Sequence, residues 1–255
     1  MDGRDDSGPQ TGPPMEPPVG NSQHTLAARL VNIIEILAVA LAGPLLAQLG
    51  FALGGISNAQ LLGNVYLVVA LMLTEASITL PIILGLVWLR GQSLRSIGWG
   101  RGLLRKEALV GLAFLPVLFG STILISQLFQ HFAPEYVTQK NPLLDLIQTP
   151  WELGLMILSS LYVGGLKEEL QRAFVLTRFE ENLGGVAVGL GLWSLFFAFG
   201  HVIQGLDNAV AAGVLGLLFG VLFIRRRSVT GPIVAHASYD ILTLLVYWKF
   251  IAVLS

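Results

Sequence analysis

Long apolar runs constrain the fold of this chain more than any other feature of its sequence. Helices of roughly 20 apolar residues are long enough to cross a bilayer. Six or seven runs of this kind follow residue 24, and they lie near residues 26–49, 60–90, 108–132, 151–180, 184–204, 208–225 and 229–254. The pattern predicts an all-α fold, a polytopic transmembrane helical bundle of about seven to eight helices that occupies residues 25–255.

The amino-acid composition supports a membrane protein and excludes several other classes. The chain is 54% hydrophobic and 12% charged, whereas about a quarter of the residues of soluble domains are charged. The formal net charge is -1 and no large basic cluster occurs, so we expect membrane lipids and no nucleic acid among its partners. The chain has no cysteine, which excludes disulfides, thiolate chemistry and cysteine-ligated zinc.

The first 24 residues differ from the rest of the chain. They contain five prolines, four acidic residues and one arginine, and they lack an apolar core. This composition predicts that residues 1–24 form a disordered cytoplasmic tail and not a cleaved signal peptide.

The positions of the basic residues predict how the chain is oriented. Cytoplasmic loops of membrane proteins carry an excess of lysine and arginine. Two connections are rich in them, one through Arg90, Arg95, Arg101, Arg105 and Lys106 and the other through Arg225, Arg226 and Arg227. We therefore expect a multi-pass integral protein of the plasma (inner) membrane, with its N-terminus in the cytoplasm and residues 134–150 outside.

Four ionisable side chains interrupt the fourth apolar run, in the stretch Gly164–Arg172. They are Lys167, Glu168, Glu169 and Arg172. A charge in a spanning helix is costly unless it is paired or faces a polar cavity, so the cluster predicts a functional site. In an α-helix Arg172 shares a face with Glu168 and lies one turn after Glu169, so that either glutamate is placed to pair with it.

Two later runs contribute histidines. His201 ends a Phe-x-x-x-His pattern, and His236 precedes Asp240 by four residues, which places the carboxyl on the same helical face as the ring. Taken alone, each histidine is more often a hydrogen-bonded packing residue than a catalyst. Three separate runs nevertheless supply groups suited to acid/base chemistry, which predicts a shared site. Glu35 and Glu75, in the first two runs, are expected to hydrogen-bond neighbouring helices.

The three motifs resemble those of the CAAX-protease and bacteriocin-processing membrane peptidases, the CPBP or Abi family. The glutamate pair with its arginine, the Phe-x-x-x-His and the final His-x-x-x-Asp occur in the family's order, over a catalytic core at about residues 150–245. The resemblance implies an intramembrane endopeptidase in which a glutamate and His201 activate water while His236 and Asp240 stabilise the oxyanion. We expect it to cleave a protein or peptide, near the cytoplasmic half of the bilayer; the motifs specify neither the substrate nor its prenylation.

Two positions depart from the family pattern. The family has Glu-Glu-x-x-x-Arg, whereas Arg172 comes one position early, so Lys167 takes the first glutamate's place if the arginine fixes the alignment. We favour Glu168 as the base, because Arg172 on the same face would keep it ionised, and Glu169 is its close competitor. Asp240 stands where many members have asparagine; it should be protonated or bound to the neighbouring histidine, since an ionised carboxylate would repel an oxyanion.

Several alternatives stay open at this point. A zinc enzyme would use His201, His236 and Glu168 as ligands, but the sequence lacks His-Glu-x-x-His, and we favour an enzyme without a cofactor. Lys167 also fits a non-catalytic membrane partner or immunity-type protein on the same scaffold. A proton-coupled transporter would use the ionisable groups as a relay, yet the sequence shows neither a continuous polar path nor paired repeats.

The predicted site contains one geometric difficulty. Straight helices with a rise of about 1.5 Å per residue place Glu168 and His201 on the order of 10 Å apart in depth. Gly164 and Gly165 offer positions for a kink that would bring the two side chains together.

Overall fold

Each apolar run forms a helical segment in the computed structural model, which describes residues 25–254. No β-strand occurs within these residues. The disordered tail predicted for residues 1–24 lies outside the described residues. The architecture confirms the predicted all-α membrane bundle.

The helices begin and end close to the predicted runs. In the first half of the chain they are α1 (Leu26–Leu53), α2 (Asn58–Leu62), α3 (Val65–Leu89), α4 (Leu104–Ala113) and α5 (Leu115–Phe132). In the second half they are α6 (Pro150–Ser160), a π-helix (Leu161–Glu168), α7 (Glu169–Asn182), α8 (Val186–Gly200), α9 (Leu206–Arg226) and α10 (Thr230–Leu254). Short 3-10 turns lie at Leu94–Ile97, Pro134–Tyr136 and Val202–Gln204.

Four segments within residues 25–254 are long and apolar enough to cross a membrane. They are α1, α3, the α4–α5 segment and α9. Their outward faces carry exposed leucines, such as Leu45 on α1 and Leu124 on α5. Apolar surface of this extent is unfavourable in water and matches lipid, so the chain is an integral membrane protein. The identity of the membrane and the side on which the N-terminus lies remain predictions.

A capping box starts the segment that leads into the charged stretch. Thr149 accepts a hydrogen bond from the Glu152 backbone N–H at 3.3 Å, and the Glu152 carboxylate accepts from the backbone N–H groups of Gln148 and Thr149, at 2.8 Å each. These bonds satisfy N–H groups that the start of a helix leaves free. The hydrogen bond from Gln148 is the main cause that lowers the pKa of Glu152.

The segment between α5 and α6, for which the sequence predicts a loop or a short interfacial helix, is an ordered loop held against two helices. Thr138 donates hydrogen bonds to Asp207 at the start of α9, and Asp145 accepts a hydrogen bond from the Tyr247 hydroxyl of α10. We call residues 137–149 the cover loop. Its two anchors fix it across one end of the bundle.

An ionic cluster joins α1, α3 and α7 at the other end of the bundle. Glu35 accepts hydrogen bonds from Arg90 Nε at 2.7 Å and from Arg178 Nε at 2.6 Å. The Arg178 side chain is fully buried, and Glu181 is its second carboxylate partner at 2.9 Å. Glu35 therefore hydrogen-bonds neighbouring helices, as the sequence predicts. A buried charge of this kind is tolerated only while its partners remain.

Removing the charge of Glu35 tests how much this cluster stabilises the fold. We expect Glu35→Gln to lower the free energy of unfolding by about 3 kcal/mol, because it leaves the buried Arg178 short of one counter-charge. The exposed Glu135 gives a matched control, and Glu135→Gln should change stability by less than about 0.5 kcal/mol. Denaturant unfolding of both variants in detergent measures the difference; equal stabilities would contradict the structural role of Glu35.

Candidate active site

A π-helix carries the charged stretch and joins α6 to α7. It spans Leu161–Glu168 and contains the adjacent glycines Gly164 and Gly165. Hydrogen bonds in a π-helix run between residues five apart, and such segments are rare and frequent at functional sites. The change of register means that the spacing of an α-helix no longer decides which side chains share a face across the boundary at Glu169.

Gly164 and Gly165 allow the π-helix to approach α10 closely. A Cβ atom on Gly164 would lie 2.5 Å from Asp240 Oδ2 and 3.4 Å from His236 Nε2. A Cβ atom on Gly165 would lie 2.9 Å from Ala237 Cβ. A Cβ atom at Gly165 therefore requires a shift of α10, and one at Gly164 requires a shift of the Asp240 side chain. The close approach brings the glutamates beside His236.

Glu169 is the buried centre of the site. Only 1% of its side chain is exposed, and it accepts hydrogen bonds from Arg172 and from His236 Nδ1, the latter at 2.7 Å. The expectation that Arg172 would hold Glu168 ionised is thus wrong, because the arginine pairs with Glu169. The physical reason is the π-helix, which ends at Glu168 and separates the surroundings of two adjacent carboxylates.

Two aromatic rings enclose the Arg172 guanidinium. Its Cζ atom lies 5.0 Å from the centre of the Phe197 ring and 5.4 Å from that of Phe219. Both distances fall within the range of cation–π attraction. Nε and Nη2 of Arg172 have no hydrogen-bond partner among the described residues, so these rings and Glu169 are the groups that stabilise the buried charge.

His236 is fixed on both sides. Its ring stacks on Phe219, with the centres 4.5 Å apart and an angle of 16° between the planes. Nδ1 donates to the Glu169 carboxylate, which leaves Nε2 directed toward Glu168 and Asp240 at 3.8 Å and 3.7 Å. These two distances are too long for direct hydrogen bonds, so Nε2 is available to a molecule in the cavity.

Glu168 faces a cavity of about 260 Å³. Its side chain is 20% exposed, unlike that of Glu169. His201, His236 and Asp240 line the same cavity. The structure therefore brings groups from the π-helix, the end of α8 and α10 to one space. The depth gap predicted between Glu168 and His201 assumed straight α-helices, and the π-helix breaks that assumption.

His201 lies directly after α8 and has a defined tautomer. Nδ1 lies 2.8 Å from the Phe197 carbonyl oxygen, and a carbonyl oxygen only accepts hydrogen bonds. Nδ1 therefore carries a proton, and Nε2 has no hydrogen-bond partner among the described residues. His201 and Glu168 line the same cavity without a direct hydrogen bond or salt bridge between them.

The cavity opens near the cover loop and away from the arginine-rich end of the bundle. Asn141 and Leu144 of the loop line it, whereas Arg226 pairs with Glu107 at the far end of α9. His236 and Asp240 nevertheless lie in the half of α10 that begins next to Arg227, six and ten residues after Thr230. The orientation of the chain and the depth of the site in the bilayer remain predictions.

Several residues of the cavity were not found from the sequence. Among them are three amide side chains and a set of apolar side chains that includes two methionines: Asn141, Gln204 and Asn208, with Met72, Leu143, Leu144, Met156, Val163 and Leu244. The signal that could have found the amides is their position in or beside a polar stretch between apolar runs. The apolar residues are indistinguishable in sequence from residues that face lipid.

Lys167 does not take part in the catalytic cluster. It pairs with Glu75 of α3 at 2.5 Å, and its side chain is 6% exposed. Its charge is therefore paired with a carboxylate of another helix, and the described structure gives it no salt bridge to Glu168 or Glu169. Glu75 thereby bonds a neighbouring helix, as the sequence predicts.

The residues of the predicted zinc set, His201, His236 and Glu168, all line the cavity. Within residues 25–254, no group of three or more histidine, cysteine, aspartate or glutamate side chains is already placed to hold a metal ion. Nδ1 of His201 is hydrogen-bonded to a carbonyl and Nδ1 of His236 to Glu169, so Nε2 of each ring is the nitrogen that a metal or a substrate would meet.

Comparison with known proteins finds a family to which this region is similar. Residues 149–242 match the sequence model of the type II CAAX prenyl endopeptidase Rce1-like family. The match runs from the capping box of α6 to just beyond Asp240, so it includes the π-helix and both cavity histidines. It confirms the resemblance to the CAAX and CPBP peptidases. No curated protein and no solved structure matches the chain significantly.

A methyl group at Gly164 tests the contact between the π-helix and α10. We expect Gly164→Ala to lower the free energy of unfolding by about 1–3 kcal/mol, because the new Cβ displaces Asp240 and His236. Gly154 of α6 is a matched control, since nothing lies within 4 Å of its Cβ position, and Gly154→Ala should be neutral or slightly stabilising. Thermal unfolding in detergent compares them, and identical behaviour would disprove the close contact.

Proposed function

We propose that this Rce1-like protein is an intramembrane endopeptidase in which Glu168 activates water for attack on a peptide carbonyl. The proposal rests on the difference between the surroundings of the two glutamates. Glu169 is occupied by Arg172 and His236, whereas Glu168 faces a cavity that both histidines line. A general base must reach the water that it deprotonates, and of the two glutamates only Glu168 lines the cavity.

The proposed reaction begins with a water molecule between Glu168 and His201. Glu168 takes a proton from this water as its oxygen attacks the carbonyl carbon of the substrate. His201 accepts the second hydrogen bond of the water at Nε2 and orients it. The protonated Glu168 then gives the proton to the leaving nitrogen as the carbon–nitrogen bond breaks, so that the enzyme returns to its starting state.

His236 stabilises the negative oxygen of the tetrahedral intermediate in this proposal. The proposal takes the ring as protonated on both nitrogens, with the carboxylates of Glu169 and Glu168 beside Nδ1 and Nε2. Nε2–H is then the donor to the oxyanion, while Glu169 holds Nδ1. Glu169 and Arg172 are positioning residues, since they act through His236 and do not touch the substrate.

Asp240 is a second donor to the oxyanion if it carries a proton. Its Oδ2 atom lies 3.7 Å from His236 Nε2, close enough for both groups to point at one oxygen. An ionised carboxylate at this distance would repel the negative intermediate, so the mechanism requires a neutral Asp240.

The substrate class that fits the cavity is a peptide segment with apolar side chains. The amides of Asn141, Gln204 and Asn208 offer hydrogen bonds to a peptide backbone, and the methionine and leucine side chains of the wall offer apolar contacts. Cleavage of paired reporter peptides, one prenylated and one not, decides whether the isoprenoid is part of the substrate.

Replacing each glutamate separately tests the division of roles. We expect Glu168→Gln to lower kcat at least about 100-fold with an unchanged unfolding midpoint, because the amide cannot accept the proton. Glu169→Gln should lower both activity and stability, because it leaves the buried Arg172 without a counter-charge. Peptide cleavage in reconstituted vesicles, measured beside unfolding in detergent, separates the two. Full activity of a folded Glu168→Gln protein would overturn the mechanism and favour a non-catalytic partner or an immunity-type protein.

Substitution of Asp240 tests whether its carboxyl group acts in the neutral, protonated form. Asp240→Asn keeps a donor without a charge, and we expect it to retain activity within about threefold of the original. Asp240→Ala removes the donor, and kcat should fall by about 10–100-fold. Cleavage rates of the two variants at neutral pH provide the measurement. Loss of activity in Asp240→Asn as severe as in Asp240→Ala would show that an ionised carboxylate is needed.

A further inference from the structure

An open apolar groove runs along the full length of α4, beside two exposed basic side chains. The groove has a volume of about 410 Å³, and its walls are Leu103, Leu109, Val110 and Ala113, with Arg105 and Lys106 at one end. It lies at the arginine-rich end of the bundle and shares no lining residue with the cavity that holds Glu168. Neither the family match nor the proposed reaction gives this groove a role.

The carboxylate nearest to these basic residues is already occupied. Glu107 lies next to Lys106 in the chain, but its buried side chain accepts hydrogen bonds from Arg226, at 3.0 Å from Nε and 2.5 Å from Nη2. Within residues 25–254, neither Arg105 nor Lys106 forms a salt bridge. Two positive charges are thus left beside an apolar surface, whereas the neighbouring Arg226 is neutralised.

The shape and charge of the groove match those of a lipid with a negative headgroup. From Arg105 to Ala113 the helix rises by about 12 Å, so an acyl chain can lie along the groove while its phosphate stays at the basic end. Leu103 and Leu109 are 74% and 55% exposed and would bury apolar surface against the chain. A soluble anion would use the charges and leave this apolar surface uncovered.

We propose that this groove binds one anionic phospholipid, with the phosphate between Arg105 and Lys106 and an acyl chain against Leu109 and Ala113. Basic residues near the bilayer surface attract anionic headgroups, and each contributes roughly fivefold to the affinity. The site has a structural consequence for α10, which carries His236. Gly111 packs directly against the Gly231 backbone, so a lipid that holds α4 also supports the helix that positions the histidine.

Lipid binding by the purified full-length protein tests the proposal. Native mass spectrometry counts bound phosphatidylglycerol and phosphatidylcholine, and thermal unfolding with each lipid measures stabilisation. The double variant Arg105→Gln/Lys106→Gln removes the charges, and Ala113→Leu fills the groove without changing charge. The double variant Arg29→Gln/Lys140→Gln is the matched control, since it removes two exposed basic residues outside the groove.

We expect the original protein and the control to retain one phosphatidylglycerol in preference to phosphatidylcholine. The charge variant should bind it roughly ten- to thirtyfold more weakly, and the groove variant several-fold more weakly. Glycerol 3-phosphate, which has the headgroup charge without acyl chains, should not stabilise the fold. Unchanged binding by both groove variants would overturn the proposal, as would equal binding of the two lipids or full stabilisation by glycerol 3-phosphate. The variants concern exposed residues remote from Glu168, so their failure would leave the proposed peptidase intact.

Discussion

The buried pair of Glu169 and Arg172 is the interaction on which the rest of the site depends. An isolated charge in a low-dielectric interior is too costly to keep, so each member requires the other. Phe197 and Phe219 enclose the arginine from two sides, and Phe219 also stacks on His236. The same aromatic ring thus stabilises a fixed charge and orients a ring that the chemistry needs. Loss of either charge would disturb α7, α8, α9 and α10 together.

The π-helix explains how two adjacent glutamates come to have different surroundings. In an unbroken α-helix, Glu168 and Glu169 would differ by about 100° around one axis, and Arg172 would lie near both. The change from π-helix to α-helix falls between them, and one carboxylate is buried while the other lines the cavity. The change of helical register therefore separates a buried, paired acid from one that faces the cavity.

The sequence predicts the helices well because length and apolarity decide them locally. It also identifies Glu168, Glu169, His201, His236 and Asp240 as one group, since few other ionisable residues lie in the apolar runs. The sequence does not predict which residue forms the salt bridge with each charged side chain. The pairs of Lys167 with Glu75 and of Arg178 with Glu35 join residues far apart in the chain, and they arise from helix packing that the α-helical period does not encode. The predicted ion pair of Glu168 failed for the related reason that the period itself changes within the motif.

The size of the cavity limits the backbone conformation of any peptide segment that enters it. An α-helix with its side chains is about 10–12 Å wide, so a space of about 260 Å³ would contain well under one turn of it. The cover loop, fastened to α9 through Asp207 and to α10 through Tyr247, restricts how far this space can widen. Under the proposed reaction, a membrane-spanning helix would have to unwind before one of its peptide bonds could reach Glu168, whereas a segment that is already extended would enter without that cost.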